Sequence, residues 1–423
     1  MKEILSINGG NILGGEISVG GAKNSLVALI PAAIITKSIV KLENVIPIDD
    51  TYTLIAILNK LNVSTLYDDK SCLYIDARKL KNVKLDIKEM TLMRASYYFM
   101  GSLLSLYNNA SVIGPGGCNF GERPIDLHLF GFANLGIDYS LINGVYNFKR
   151  GKVLNREFTF KKKSVGATIN VILASCKIKG LVKINNCSLE PEVDDLINFL
   201  NKCGCKIRRD GESVVINGVS KLNGCTYKVM SDRIEAGTFM IIGGAIGNNL
   251  KIKNIDLKYL ENVVNVLSEI GVKIIKCKDG LVISKGKNYK GINLIVEPYP
   301  GFPTDLQQPL TVLLSICDGV SCIEETIYPS RLSHIDSLNE MNADIKIENE
   351  IIKINGNRSF VGKMVSGKDL RGGISLVIAA LLAEGSSKID GVKYIKRGYS
   401  DLVYKLKKVG ADISVERIND DEN

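Results

Sequence analysis

Six times along this 423-residue chain one local grammar recurs: a strand, a charged or hydroxyl residue, an apolar helix of small residues, a second strand, an amphipathic helix ending at Gly or Asn, and a β-hairpin. The period of roughly 70 residues is longer than a solenoid repeat and too long for a propeller blade. The apolar helices are expected to begin near Ala22-Lys23-Asn24, Thr91-Leu92-Met93-Arg94, Ser164-Val165-Gly166, Asp232-Arg233-Ile234, Pro303-Thr304-Asp305 and Asp369-Leu370-Arg371. A helix start gathers unpaired N–H groups and partial positive charge, so converging starts favour a highly anionic ligand. No single unit can bury both of its helices. The simplest assembly is an α/β fold in which two groups of three βαβαββ units pack small-residue helices at their centres, with a cleft between the groups.

Periodicity separates inner from outer helices. Ser164 to Ser175, Ile234 to Ile246 and Leu370 to Leu382 are apolar or small almost all round, which requires burial. Glu192 to Lys202, Leu260 to Ile270 and Tyr399 to Val409 place Leu, Ile and Val at i, i+3, i+4 and i+7 with charge opposite, as outer helices do. Asp210-Gly211 and Asp279-Gly280 mark hairpin turns between short β-rich runs.

With 45% hydrophobic and 23% charged residues the chain has the balance of a soluble globular protein. It contains no apolar run of the roughly eighteen residues a membrane span needs. Met1-Lys2-Glu3-Ile4 has no signal-peptide pattern, so a cytoplasmic protein without a membrane partner is expected. The formal net charge of +9 asks for anionic partners. Its lysines are dispersed, and the one run, Lys161-Lys162-Lys163, lacks the interleaved aromatics that stack bases, which favours small anions over nucleic acid. Among ten cysteines the close pair Cys203 and Cys205 has the wrong spacing for zinc. His128 and His334 are the only histidines and neither has a second ligand at usable spacing, so no metal is expected.

The second unit is broken by a long loop, Val112-Ile113-Gly114-Pro115-Gly116-Gly117-Cys118, running on through Glu122 and Arg123 to His128. A thiol among glycines and near an arginine is exposed and electropositive, the conditions that make it reactive. The plain alternative is a loop cysteine of no consequence; the other nine read as strand or helix residues. Asp305, just after Pro303-Thr304, reads equally as a capping aspartate.

That loop, the opening Gly20-Gly21-Ala22-Lys23-Asn24 and the stretch Pro298-Tyr299-Pro300-Gly301-Phe302-Pro303-Thr304-Asp305 resemble the UDP-N-acetylglucosamine 1-carboxyvinyltransferase family. Ser164 to Thr168, Asp232 to Thr238, Asp369-Leu370-Arg371 and Arg397-Gly398-Tyr399 match it too, so the resemblance covers nearly the whole chain. It implies two inverted α/β barrels of three βαβαββ repeats each, with an interdomain active-site cleft. Residues 22–230 would carry the Cys118 loop, residues 1–21 with 231–423 would carry Asp305 and Arg397, and hinges would lie near Gly20-Gly21 and Met230-Ser231.

The implied reaction moves the enolpyruvyl group of phosphoenolpyruvate to the 3′-hydroxyl of UDP-N-acetylglucosamine, releasing phosphate, at the committed step of peptidoglycan precursor synthesis. The resemblance makes Cys118, Asp305 and Lys23 catalytic: Cys118 protonates C3 or forms a covalent adduct, and Asp305 takes the hydroxyl proton. It gives phosphoenolpyruvate Lys23, Asn24, Arg123, Arg331, Arg371 and Arg397. It gives the nucleotide sugar Asn24, Arg94, Arg123, Lys162, Ser164, Gly166, Thr304, Asp305 and Ile327. Glu190 and Asp369 would support the cations or the proton traffic, and Asp232 and Glu235 would be interdomain or capping residues. No cofactor is implied, the protein would be a monomer or weak oligomer, and Cys118 implies alkylation by fosfomycin.

Three departures from the family pattern stand out. Glu122 occupies a position that is usually small, Lys396 one that is usually acidic, and the Asn44 to Asp49 stretch lacks a nucleotide-side lysine. Three rivals remain: the sister enzyme acting on shikimate 3-phosphate, which lacks the cysteine loop; a non-catalytic nucleotide-sugar sensor, which would have lost Cys118 or Asp305; and an RNA-terminus cyclase, whose histidine signature is missing.

Overall fold

The computed structural model describes residues 2–114, 116 and 125–418; Cys118, Glu122 and Arg123 lie outside the described residues. The chain divides into two compact units, Met1–Gly20 with Ser231–Asn423, and Gly21–Met230. Among the described residues each unit holds three sheets; five of the six have four strands built to one plan, and the sixth, Asn109–Ile113, Val145–Arg150 and Ile137–Ile142, has three antiparallel strands with the parallel partner reduced to a single bridge between Leu85 and Val112. Glu157–Thr159 lies parallel to Gly180–Asn185, which pairs antiparallel with Ser213–Gly218, itself antiparallel to Lys206–Asp210. A parallel pair cannot be closed by a tight turn, and the crossover here is the helix Val165–Ser175. A second helix, Pro191–Lys202, then leads into the hairpin.

Three sheets borrow a strand from far along the chain. Thr226–Lys228 supplies the parallel partner of Ile39–Glu43 in the first repeat. In the other unit Leu13–Ser18 lies parallel to Gly247–Lys253. Lys2–Asn8 pairs antiparallel with both Ser386–Asp390 and Asp412–Ile418. The sixth repeat therefore lacks the local hairpin expected of it, because the N-terminal strand takes that place.

The inner helices are buried as their composition demands. In Val165–Ser175 every residue from Gly166 to Ser175 is buried. Helices Arg233–Ile246, Thr304–Ser315 and Leu370–Leu382 pack against one another in their unit. They approach closely because Gly237 has no side chain: a Cβ there would stand 2.3 Å from Leu306 Cδ1. The helix start expected at Thr91 is displaced; a short helix Lys88–Leu92 and a 3₁₀ turn Arg94–Tyr97 precede the helix Tyr98–Leu106.

The outer helices depart from their expected polar faces. Pro191–Lys202 buries Glu192 and Asp195, at 2% and 6% exposure. Helix Leu402–Lys408 is shorter than the periodicity suggested, and Tyr399 lies before it, 3% exposed. In the fourth repeat Gly280 is already paired with Cys277, so the turn is Lys278-Asp279 rather than Asp279-Gly280. Of the nine described cysteines only Cys277 and Cys322 lie in strands; the others occupy turns and loops, six of them buried. Among the described residues no helix is long and apolar enough to cross a membrane.

Candidate active site

Asp305 lies in the first turn of Thr304–Ser315, whose N-cap residue is Pro303. Oδ1 accepts from Arg331 Nη1 and Oδ2 from Arg371 Nη2, both at 2.8 Å. Both guanidinium groups are only 6% exposed, and the one carboxylate of Asp305 pairs with both. Burial alone would lower the pKa of Arg371, yet the negative charge of Asp305, with a smaller part from Asp232, outweighs it and the group is raised.

Thr304 and Ile327 meet this cluster through a residue the sequence did not single out. Glu325, 4% exposed, accepts from Thr304 Oγ1 at 2.8 Å and from the Ile327 and Tyr328 backbone N–H groups at 2.9 and 3.0 Å. Arg331 Nη1 also donates to Thr304 Oγ1, at 3.0 Å. One buried carboxylate thus ties the start of the Asp305 helix to the turn that leads to Arg331.

Asp369 and Asp232 are helix caps. Asp369 Oδ1 accepts from the Arg371 and Gly372 N–H groups at 2.8 and 3.0 Å, while Oδ2 accepts from Ser333. Asp232 Oδ1 accepts from Ile234 and Glu235 N–H at 2.8 and 3.0 Å. Glu235 accepts from Lys405 Nζ at 2.6 Å and from Gly20 N–H at 2.8 Å, and burial raises its pKa. His334 sits beneath the cluster, its pKa pulled to about 3, chiefly by burial, so its ring is neutral. Arg397 is half-buried, and its neighbour Lys396 reaches Glu3 on the N-terminal strand, which gives that departure from the family a local partner.

In the unit Gly21–Met230, Lys23 opens helix Lys23–Ala33 beside half-buried Asn24, and its ammonium lies 3.3 Å from Asp50 Oδ2. Asp50 is 4% exposed, a buried carboxylate in the first turn of Asp49–Lys60. Arg94, Ser164 and Gly166 are brought together around a pair of rings, half-buried Tyr97 and buried His128. Arg94 lies over Tyr97, whose ring meets His128 at 4.6 Å. A Cβ at Gly166 would stand 2.5 Å from the Tyr97 hydroxyl and 3.0 Å from His128 Nε2, so only glycine fits. Ser164 caps its helix by accepting from Ala167 N–H at 3.2 Å. Lys162 is exposed beside it.

The tautomer of His128 follows from its neighbours. Gly101 N–H donates to Asn170 Oδ1 at 2.8 Å, which fixes the amide so that Nδ2 donates to His128 Nδ1 at 2.9 Å. The ring proton is therefore on Nε2, and burial, aided by the Arg94 charge, pulls the pKa to about 3. Glu190 accepts from Ser188 and immediately precedes helix Pro191–Lys202, whose fifth residue is Asp195. Asp195 accepts from the Tyr227 hydroxyl at 2.6 Å and from Met230 N–H at 3.5 Å. Burial raises its pKa to about 6 against those hydrogen bonds. Among the described residues no cluster of three or more His, Cys, Asp or Glu is placed to hold a metal ion.

This six-repeat α/β chain is of the carboxyvinyl transferase class. The chain belongs to the EPSP synthase family: the family model for EPSP synthase (3-phosphoshikimate 1-carboxyvinyltransferase) matches residues 7–406. Within that family its similarity runs to the UDP-N-acetylglucosamine 1-carboxyvinyltransferases. It is 41% identical to the one from Clostridium botulinum, covering 97% of this chain and 99% of that one. It is 42% identical to UDP-N-acetylglucosamine 1-carboxyvinyltransferase 2 of Listeria monocytogenes, covering 98% of each. The fold matches the crystal structure of the enolpyruvyl transferase NikO from Streptomyces tendae with a TM-score of 0.91 at 22% identity, over 99% of this chain and 100% of that one.

Proposed function

We propose that this chain transfers the enolpyruvyl group of phosphoenolpyruvate to the 3′-hydroxyl of UDP-N-acetylglucosamine and releases phosphate, the committed step of peptidoglycan precursor synthesis in the cytoplasm. The observation that carries the reading is the Asp305 carboxylate held at a helix start by Arg331 and Arg371. It supplies a base whose position is set on both oxygens, as transfer of a hydroxyl proton requires.

The reaction is an addition followed by an elimination. C3 of phosphoenolpyruvate gains a proton from Cys118 as the sugar oxygen bonds to C2 and loses its own proton to Asp305. C3 then gives a proton back and the C2–O bond to phosphate breaks. Cys118 serves as the acid and can also hold the enolpyruvyl group covalently. Phosphoenolpyruvate carries up to three negative charges and is met by Lys23, Asn24, Arg123 and Arg397, with Arg331 and Arg371 as further cations that also orient Asp305. The nucleotide sugar is met by Asn24, Arg94, Arg123, Lys162, Ser164, Gly166, Thr304, Asp305 and Ile327. Glu190 supports the cationic side chains.

Each unit is one α/β barrel of three βαβαββ repeats, 22–230 carrying Cys118, and 1–21 with 231–423 carrying Asp305 and Arg397. The two barrels are inverted relatives of each other. The protein works as a monomer or weak oligomer, without cofactor or metal.

The test is phosphate release from phosphoenolpyruvate with UDP-N-acetylglucosamine or shikimate 3-phosphate as acceptor. Release with the nucleotide sugar alone, lost in Cys118→Ala, is the expected result. Release with shikimate 3-phosphate instead, or tight nucleotide-sugar binding without any release, would overturn the assignment.

A further inference from the structure

Tyr399 belongs to a motif that the reaction above leaves without a role, and its hydroxyl is buried in the Asp305 cluster. Arg371 Nη1 donates to Tyr399 Oη at 3.0 Å. Tyr399 Oη lies 2.8 Å from Thr238 Oγ1, and Thr238 Oγ1 lies 2.8 Å from the Ile234 carbonyl oxygen. Tyr399 and Arg371 are 3% and 5% exposed and Thr238 is fully buried, so water does not reorganise the chain.

The direction of every bond in it is determined. A guanidinium can only donate and a carbonyl can only accept. Thr238 must spend its proton on Ile234, Tyr399 must give its proton to Thr238, and the Tyr399 oxygen is left to accept from Arg371. The two terminal nitrogens of Arg371 are then divided, Nη1 on Tyr399 and Nη2 on Asp305 Oδ2.

Resting on the functional reading above, we propose that Tyr399 is a positioning residue for Asp305: its hydroxyl, oriented by Thr238, fixes the turn of the Arg371 guanidinium and so the plane of the carboxylate. With that acceptor removed, Nη1 has lost its buried partner and the planar fork swings toward Asp305, where the second N–H adds positive charge to the base. The hydroxyl acts on the proton transfer through Arg371 and Asp305 and, being buried, is not itself offered to either substrate.

Tyr399→Phe is close to isosteric and keeps the ring, whose centroid lies 5.5 Å from Arg371 Cζ. It should lower kcat about tenfold, the size of one buried hydrogen bond, with both KM values within about threefold. Thr238→Val removes the acceptor that orients Tyr399 and should reproduce the loss, Thr238→Ser should restore turnover, and the double variant should be no worse than Tyr399→Phe alone. A drop confined to thermal stability, or additive losses in the double variant, would overturn the proposal.

A second readout needs no turnover. Side-chain nitrogen NMR should find the Arg371 guanidinium protons exchanging slowly with solvent in the unaltered protein and in Thr238→Ser. Exchange should be at least about tenfold faster in Tyr399→Phe and Thr238→Val. Unchanged exchange would overturn the positioning role even in a protein whose unaltered form released no phosphate, which is the separate failure of the functional reading.

Discussion

Asp195 should make the stability of the unit Gly21–Met230 depend on pH in a way that one substitution removes. Its carboxyl is 6% exposed, and burial lifts its pKa from 3.8 to about 6. Below pH 4 the group is protonated whether the chain is folded or not and has no effect on the balance. As pH rises from 4 to 6 the unfolded chain ionises first while the folded chain holds its proton, so stability falls. Above pH 6 the full difference of about two pH units is in force, a loss of about 3 kcal/mol at roughly 1.4 kcal/mol per unit.

Asp195→Asn imitates the protonated acid at every pH. The amide oxygen can take the Met230 N–H and the amide nitrogen can donate to Tyr227, whose own proton then passes to the Asp195 carbonyl oxygen, already 3.1 Å away. The variant should match the unaltered protein near pH 4 and exceed it by about 3 kcal/mol near pH 8. Urea unfolding followed by circular dichroism at both pH values reads the difference. His128 in the same unit contributes an opposite slope, since its pKa of about 3 lies below the ordinary 6.5, but that contribution is common to both proteins and cancels. An advantage equal at pH 4 and pH 8, or a variant weaker at pH 8 than at pH 4, would refute the reasoning.

Asp305→Ala should abolish phosphate release and also lower the unfolding temperature measured by calorimetry, because it takes the shared carboxylate from two buried guanidinium groups, at a cost of about 3–5 kcal/mol. Gly166→Ala forces the Tyr97 and His128 rings aside and should cost about 1–3 kcal/mol, with weaker nucleotide-sugar binding by titration calorimetry and little change in affinity for phosphoenolpyruvate. Asp369→Ala removes the acceptor of two N–H groups at the start of Leu370–Leu382 and should cost about 1–2 kcal/mol in urea unfolding.

The inner helices were legible because burial all round leaves a mark in composition: Val165–Ser175 and Leu370–Leu382 contain no charge beyond Arg371, which lies at a helix start. Buried carboxylates leave no such mark. Asp50, Asp195 and Glu325 have the same residue types as solvated charges, and their partners Lys23, Tyr227 and Thr304 lie 27, 32 and 21 positions away or are recognisable only once the fold joins them. Tyr399 was read into an outer helix because its spacing from Leu402 and Leu406 fits that period. The structure instead turns it inward before the helix begins, where Arg371 and Thr238 claim its hydroxyl. The sixth hairpin was misread for a related reason: nothing local distinguishes a strand that pairs with its neighbour from one that pairs with the far end of the chain.

The strands borrowed across the chain set an order of assembly during synthesis. Gly21–Met230 is continuous, and all its sheet partners have been made once Thr226–Lys228 emerges. The other unit waits: Leu13–Ser18 cannot find Gly247–Lys253 until more than half the chain is built, and Lys2–Asn8 has no complete sheet until Asp412–Ile418 follows it. Lys2–Asn8 and Leu13–Ser18 are therefore made before the Gly21–Met230 unit but paired only after it, so the nascent chain carries two unpaired strands ahead of an already folded body. Because Lys2 lies directly opposite Ile418, linking these two strands and opening the chain at Gly20-Gly21 would give a circular permutant in which each unit is continuous.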